Sequence, residues 1–464
     1  MTTTTTKAKT KQILTFFLSL LFCCIFVGCD FGKGSVLDIA TQNGLEIPKE
    51  ENQDTSITPT INEYNTTIQK NVQEISLYDT YLELKEKENY TGTFKDFLKE
   101  FLNDEENGVS NNIEYITNQR LMSAVAIYTA FPTRTGTKTF SGAGVFYKID
   151  KETGDAYIIT NYHVVYYLES TTANKISNDI KCYTYGQVIG ASTPLNCTFI
   201  GGSMTYDLAL LKVSASNHIK NGDAIEIDFA DSNHTTVGEN IIAIGNPEGD
   251  GISATQGIIC VDSENIIMQS IDETSSVKHR VLRIDAAING GNSGGGVFDS
   301  SGKLIGIANV KIVDSSVDNI AYAIPSNIVK YVCDQIYRQC DGTTTSIKKV
   351  LLGVTIEIID ASSHYNGLKT EIVETIKVAE ITSGAPVDGL LTVGSILDKI
   401  IITDNSNPLS PVSTEYDITR LFHIDAIMQA TIGDTITFYT QDEEGNPLTP
   451  TTLVVTENCL VAVK

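Results

Sequence analysis

The feature that most restricts this chain is the stretch Asp285–Val297, DAAINGGNSGGGV. A serine hemmed in by Gly291, Gly294, Gly295 and Gly296 fits neither helix nor strand propensity. Glycine loses the most backbone freedom on folding and is used where the chain bends tightly or comes close to another group. A tight turn at Gly291–Ser293 would aim the backbone N–H groups of Gly291 and Ser293 at one point, with the Ser293 hydroxyl beside it. That geometry stabilises the oxyanion formed when a nucleophile attacks a carbonyl. Alone, the stretch reads equally well as a plain Gly/Ser/Asn loop, so the remaining chain decides.

From Leu121 the pattern is one of short β-branched or aromatic runs separated by turns. Strands are expected at Ala124–Thr129, Ala143–Tyr147, Ala156–Thr160, Lys181–Tyr185, Asp207–Val213, Asn240–Ile244, Val281–Ile284, Lys303–Val310 and Ile320–Ile324. Many short strands with Gly-rich turns imply a closed or sandwiched all-β domain. Helical period returns only at Ser326–Arg338, after Pro325. A further unit follows Thr343, with mixed strands, a helix near Ile418–Ala430 and a closing strand at Leu453–Thr456.

A nucleophilic serine needs a base, usually histidine. Of the six histidines only His163 directly follows an apolar strand, in Tyr157–Val165, YIITNYHVV. A third group must hold the imidazole, and Asp207 suits this because it heads the apolar run DLALLKV at the edge of the core. A satisfied structural histidine and a strand-end aspartate are the plainer readings of each residue alone. The order His163, Asp207, Ser293 is that of chymotrypsin-like proteases, not of subtilisins or α/β-hydrolases.

Residues 118–340 resemble the protease domain of the HtrA (Deg) family of trypsin-like serine proteases. The matching pieces are SGAGVFY (141–147), IITNYHVV (158–165), YDLALLKV (206–213), AIGNPEG (243–249), TQGII (255–259), DAAINGGNSGG (285–295), LIGIANV (304–310) and AYAIPSNIV (321–329). The resemblance implies a mostly β fold with two six-stranded barrels, His163 and Asp207 coming from the first and Ser293 from the second. It implies an oxyanion hole of Gly291 and Ser293 N–H groups assisted by Asn292, and a specificity pocket at Ala287, Ile288 and Val310. An apolar pocket does not compensate a buried Lys or Arg, so cleavage after small or medium apolar residues is expected. Asn292 stands where digestive enzymes carry the Asp that pairs with a new N-terminus, which argues against activation by N-terminal cleavage. Gly290 replaces an Arg common in the family and implies a looser oxyanion loop. Lys311 falls near a pocket wall that is usually apolar, and residues 260–280 do not match closely.

Residues 345–464 resemble a bacterial PDZ domain. Leu351, Leu352, Gly353 and Val354 match its carboxylate-binding turn, and Val378–Gly394 (VAEITSGAPVDGLLTVG) matches the strand, turn and short helix that follow. Such a turn presents N–H groups to a peptide's C-terminal carboxylate beside a sheet edge that pairs with the peptide. Ile356–Thr375 is expanded relative to that pattern, and Ser395 stands where Asp is common. A small α+β cap is the plainer reading.

Ahead of the β region, Lys7, Lys9 and Lys11 precede the apolar run Ile13–Gly28 and then Cys29. This is a signal-peptide pattern, and Phe26–Cys29 resembles a bacterial lipobox with Cys29 as the lipidated residue. The run is slightly short for the alternative, an uncleaved anchor of about 20 apolar residues. Both place the body outside the cytoplasm. The organisation read from the chain is a signal peptide at 1–28, a tether at 29–60, a helical spacer at 61–110, a protease domain at 118–342 and a PDZ domain at 345–464. Ser76–Leu102 resembles a small helical module of bacterial surface proteins, with a generic spacer as the alternative.

The net charge of −24 excludes a basic nucleic-acid footprint and fits an acidic, soluble surface. No CxxC or Cys/His cluster points to a metal, and no cofactor is implied. Cys333 and Cys340, seven apart in a helical pattern, lie about 10 Å apart at 1.5 Å per residue, beyond the roughly 7 Å reach of a disulfide. Cys182 and Cys197 flank a hairpin-like stretch and are the one pair to consider. The combined reading is a lipid-anchored extracytoplasmic serine endopeptidase that removes misfolded or damaged exported proteins. Peptide C-termini are the expected PDZ partner, and the resemblance implies a homotrimer. Two alternatives stay open: a non-enzymatic chaperone or peptide-binding scaffold, and a peptide-sensing protease that makes one specific cut.

Overall fold

Strand Leu208–Val213 reads LALLKV almost without a polar break, which a strand tolerates when both faces are covered. In the computed structural model, Ala209 and Leu211 enter one core while Leu208 and Leu210 enter another. Ile158 and Ile159 divide in the same way. Farther along, Ile241 and Ala243 separate from Ile242 and Ile244. Period-two alternation thus sorts one apolar run between a barrel interior and a core shared by two barrels. The structure describes residue 85 and residues 113–309, 320–338, 347–365, 369–407 and 409–463.

Helix α1 (Ile113–Leu121) leads into β1 (Ala124–Thr133), β2 (Gly136–Asp150) and β3 (Asp155–Thr160). A one-turn helix α2 (Tyr162–Val165) precedes β4 (Asp179–Thr184), β5 (Leu195–Ser203) and β6 (Leu208–Val213). These strands close into a barrel in the order β1-β2-β3-β6-β5-β4. After α3 (Asn217–Asn221) come β7 (Asn240–Gly245), β8 (Ser253–Gln269), β9 (Ser276–Ile284), β10 (Gly296–Asp299), β11 (Leu304–Ala308) and β12 (Ala321–Pro325). They close a second barrel, β10-β11-β12-β9-β8-β7. The expected double barrel is the fold. Helix α4 (Ser326–Arg338) buries Ile328, Val329, Val332, Cys333 and Ile336, one stripe at helical spacing, over strands of both barrels.

The C-terminal part holds β13 (Ile347–Val350), β14 (Val354–Tyr365), β15 (Thr370–Ile381), β16 (Ile396–Asp404), β17 (Val412–Asp417), β18 (Thr435–Gln441), β19 (Thr451–Val454) and β20 (Leu460–Val463). Its main sheet runs β14-β15-β16-β18-β19, so β14 is an edge, while β13 pairs with β20. Val350, Val378, Ile400, Ile436 and Phe438 centre its separate core.

Several local expectations change. The helical period near Ile418–Ala430 is a 3-10 helix, Leu421–Gln429. The short helix expected before Gly394 is replaced by turns, because Pro386 and the left-handed Gly384, Gly389 and Gly394 interrupt it. The expanded Ile356–Thr375 stretch is a long β14–β15 hairpin whose outer end is exposed. Strands β5, β8 and β10 were not expected, and β20 follows the strand expected to close the chain. The segments expected to be a signal peptide with Cys29, a tether and almost all of a helical spacer, together with Val310, Lys311 and Cys340, lie outside the described residues.

Phe298 is fully buried in the shared core. Phe298→Ala is expected to destabilise the chain by about 3–5 kcal/mol through lost burial and the cavity left behind, seen as a lower urea midpoint in fluorescence-monitored unfolding.

Candidate active site

β3 ends at Thr160, and the one-turn α2 then places His163 at the mouth of the first barrel. The turn between β5 and β6 brings in Asp207, which sits in the left-handed region at φ 51°. Ser293 lies on the loop joining β9 and β10. The structure brings these three residues together from widely spaced positions. His163 Nδ1 is 2.7 Å from Asp207 Oδ2, and the His163 backbone N–H donates to Asp207 Oδ1 at 2.9 Å. His163 Nε2 is 2.9 Å from Ser293 Oγ. An ionised carboxylate only accepts hydrogen bonds, so Nδ1 carries the proton and Nε2 is left to accept from the serine hydroxyl.

Asp207 is 0% exposed. Burial alone would push its carboxyl up. The electrostatic pull of the His163 ring, the two hydrogen bonds from that residue and one from Asn309 outweigh burial and hold it below the usual carboxylate range. Asn309 Nδ2 donates to Asp207 Oδ2 at 2.8 Å, and Asn161 Nδ2 donates to the Asp207 carbonyl at 2.8 Å. Neither asparagine was singled out from sequence. The available signal for both was an amide directly following an apolar strand, in IANV and IITN.

The Gly290–Gly294 loop, the expected oxyanion loop, is built by close approach. Gly291 has φ 94°, and a Cβ there would lie 2.1 Å from the Asn246 carbonyl oxygen. Gly294 has φ 86°, and its Cβ would meet the Ala143 carbonyl at 2.2 Å. No other residue type fits either position. The Ala143 N–H donates to the Ser293 carbonyl at 2.8 Å, tying the Ser293 loop to the first barrel. The loop is also held where Gly290 suggested looseness, because the Glu248 N–H donates to the Gly290 carbonyl at 2.6 Å. Glu248 is itself left-handed at φ 54°. Its segment is fixed by Tyr128, whose hydroxyl donates to the Gly249 carbonyl at 2.7 Å, and by Asn246, which bonds the Gly142 carbonyl and the Gly251 N–H. Asn292 is buried, Ala287 is exposed and Ile288 is half-buried.

Residues 142–307 match the family model for the trypsin-like peptidase domain. The chain is 32% identical over 309 residues to "Serine protease Do-like HtrA" of Bacillus subtilis (strain 168), covering 65% of this chain and 60% of that protein. It is 35% identical over 205 residues to "Probable periplasmic serine endoprotease DegP-like" of Brucella suis biovar 1, covering 44% and 34%. Residues 142–307 are a trypsin-like peptidase domain, and the chain is similar to HtrA-type serine proteases. It spans 60% of the length of the Bacillus relative. A solved "HtrA-type protease AlgW with tripeptide" aligns with TM-score 0.46 at 19% identity, covering 76% of this chain and 97% of that one.

The chain also carries a cavity of about 430 Å³ beside the first strand of its main C-terminal sheet. Ile356 and Ile358 of β14 line it together with Leu421 and Ile424 of the 3-10 helix, opposite Lys278 and Arg280 of β9. Leu351–Val354 lie just before β14. Gly353 is left-handed at φ 71°, and its carbonyl accepts from the Thr382 N–H at 2.9 Å. Arg420 bridges Asp262 of β8 at 2.9 Å and Glu374 of β15 at 3.2 Å, and the Arg280 guanidinium lies 3.6 Å from the Phe422 ring centre. Burial pulls Arg280 down to about 10 and pushes Asp425, another lining residue, up.

Asp207→Asn is expected to lower peptide hydrolysis by roughly 10⁴-fold at saturating substrate, through loss of the correct imidazole tautomer. It also tests the acid limb of stability. A carboxyl depressed in the folded state stabilises above the unfolded value near 4 and loses that contribution as pH falls through its folded value. Urea titrations from pH 5 downward should therefore show a steeper loss in the wild type than in the variant.

Proposed function

We propose that this chain is an extracytoplasmic serine endopeptidase. Ser293 is its nucleophile, His163 its general base and then acid, and Asp207 the group that orients the imidazole and stabilises its charged form. The observation that carries the reading is the unbroken run of contacts Asp207–His163–Ser293 beside the Gly291 turn. In the first half-reaction Nε2 takes the Ser293 proton as Oγ attacks the scissile carbonyl. The carbonyl oxygen, now negative, is received by the Gly291 and Ser293 N–H groups, with Asn292 holding the turn. Nε2 then returns the proton to the leaving amine, and water repeats the sequence on the acyl-enzyme. No metal or cofactor has a part in these steps.

Substrates on this reading are unfolded or damaged exported polypeptides, in keeping with relatives named as Do-like and DegP-like proteases. Ala287, Ile288 and Val310 receive a small or medium apolar side chain before the scissile bond. Lipid at Cys29 holds the chain at the membrane surface, and three copies assemble. Among the described residues no helix is long and apolar enough to cross a membrane. The C-terminal unit acts as a PDZ domain, with Leu351, Leu352, Gly353 and Val354 receiving a terminal carboxylate. The open edge of β14 and its apolar wall beside the 3-10 helix support that reading.

Purified full chain should digest casein, with most products ending in Val, Ala or Ile, and Ser293→Ala should abolish digestion while far-UV circular dichroism is unchanged. Cuts mainly after Lys or Arg in a product map would rule out the apolar pocket. A peptide with an apolar C-terminal residue should speed cleavage of a separate, untethered substrate several-fold in the wild type, and Gly353→Glu should remove that response. A rate indifferent to peptide in the wild type would reduce the C-terminal unit to a tether at most.

A further inference from the structure

The first barrel has one weak seam. β4 meets β5 over three register pairs, Ile180–Cys197, Lys181–Asn196 and Cys182–Leu195. The flanking seams are longer, with six pairs between β1 and β4 and six between β5 and β6. The connecting loop adds little, since Tyr185, Val188 and Ile189 stand exposed on it. Yet the barrel is closed only if this seam holds, because β4 and β5 are neighbours in the ring. The turn between β5 and β6 carries Asp207, so slack at the seam reaches the active site.

Two cysteines sit on that seam. Cys182 and Cys197 face the barrel interior on one diagonal of the strand pair, and their sulfurs are 3.1 Å apart. Cys182 is 0% exposed and Cys197 6%. The sulfurs lie closer than an ordinary non-bonded contact, and an approach of about 1 Å completes a bond of ~2.05 Å. We propose that Cys182 and Cys197 form a disulfide that staples the β4–β5 seam of the mature chain. Its formation in the cell rests on the extracytoplasmic reading above, since disulfides persist in oxidising compartments.

The step balances as thiol–disulfide exchange with a disulfide oxidant, small-molecule or protein-borne. One cysteine thiolate attacks the oxidant and expels a thiol, leaving a mixed disulfide. The second thiolate attacks the protein sulfur of that bond and expels the other thiol. The protein gives up two protons and two electrons, and the oxidant is reduced to two thiols. Burial pushes the Cys182 thiol well above its usual range, so little thiolate exists once the barrel has closed. The staple therefore forms while the chain is folding.

No Lys or Arg lies between Cys182 and Lys212, and Lys181 precedes Cys182. One tryptic peptide, residues 182–212, thus carries both cysteines. The test reduces and denatures the full chain, refolds it in oxidised and reduced glutathione, alkylates it with N-ethylmaleimide and maps this peptide by mass spectrometry. The expected result is a peptide two hydrogens lighter that takes up no maleimide. Two maleimides on the peptide from refolded protein would overturn the staple. As a second readout, dithiothreitol should lower the Tm of the wild type by roughly 5 °C and leave that of Cys182→Ala/Cys197→Ala unchanged. An equal Tm loss in both overturns the assignment. Refolding takes place outside the cell, so it tests the staple independently of compartment, whereas a cytoplasmic location of the full chain on fractionation would overturn the export reading instead.

Discussion

Asp207 is a carboxylate cut off from water and set at a backbone conformation that non-glycine residues rarely adopt. Burying an ionised carboxylate costs several kcal/mol unless it is paired and hydrogen-bonded. Here the compensation comes from both barrels: His163 gives a backbone and a side-chain contact from the first, and Asn309 gives an amide from the second. The hydrogen bonds that keep this charge buried therefore also fix the relative placement of the barrels. Ala143, donating to the Ser293 carbonyl, closes the same join from the other side. Ser293 is positioned by a contact network that would not exist if either barrel folded alone.

The Gly290–Gly294 loop follows a related logic, with sterics in place of charge. Its glycines leave no room for side chains, so neighbouring backbone comes within hydrogen-bond reach. A flexible sequence is thereby made rigid from outside. The Glu248 N–H holds the Gly290 carbonyl, and Tyr128 braces the segment that carries Glu248. A left-handed glutamate costs of order 1 kcal/mol or more, and that strain persists because the Asn246 and Tyr128 bonds over-determine the turn.

The double barrel was legible because β3, β6 and β7 are short apolar runs with turns on either side, and the meeting of His163, Asp207 and Ser293 because the first two sit at the ends of such runs. The missed strands share a physical reason. β5 contains Gly201 and Gly202, β8 is long and largely half-exposed, and β10 follows directly on a glycine run, so none shows a clean period. Asn309 and Asn161 were overlooked because a buried amide acquires meaning only from its partner, and the partner is set by tertiary contact. Gly290 misled for the same reason: its own freedom was visible, whereas the Glu248 donor that removes it lies 42 positions away. In the C-terminal unit the helical period at Leu421–Gln429 was real, yet its backbone tightened into a 3-10 helix, a distinction that apolar spacing does not carry.

Under the proposed reading, the route from the peptide groove to the nucleophile is short in space. The 3-10 helix walls the groove, and its Met428 sulfur lies 3.6 Å from the Tyr206 hydroxyl, one residue before Asp207. Arg420 adds a second link, from β15 to Asp262 on the β8 strand of the second barrel. Proximity alone does not make a switch, because a ligand shifts an equilibrium only by its difference in affinity for the two states. The Arg420 bridges are suited to supply such a difference: the guanidinium is nearly buried, so moving the 3-10 helix while Asp262 stays in place would leave one partner of the bridge unmatched. Coupling of that kind is reciprocal. If peptide in the groove favours the ordered Gly290–Gly294 loop, then a reversible ligand at Ser293 that also favours that order must tighten peptide binding by the factor by which peptide tightens its own.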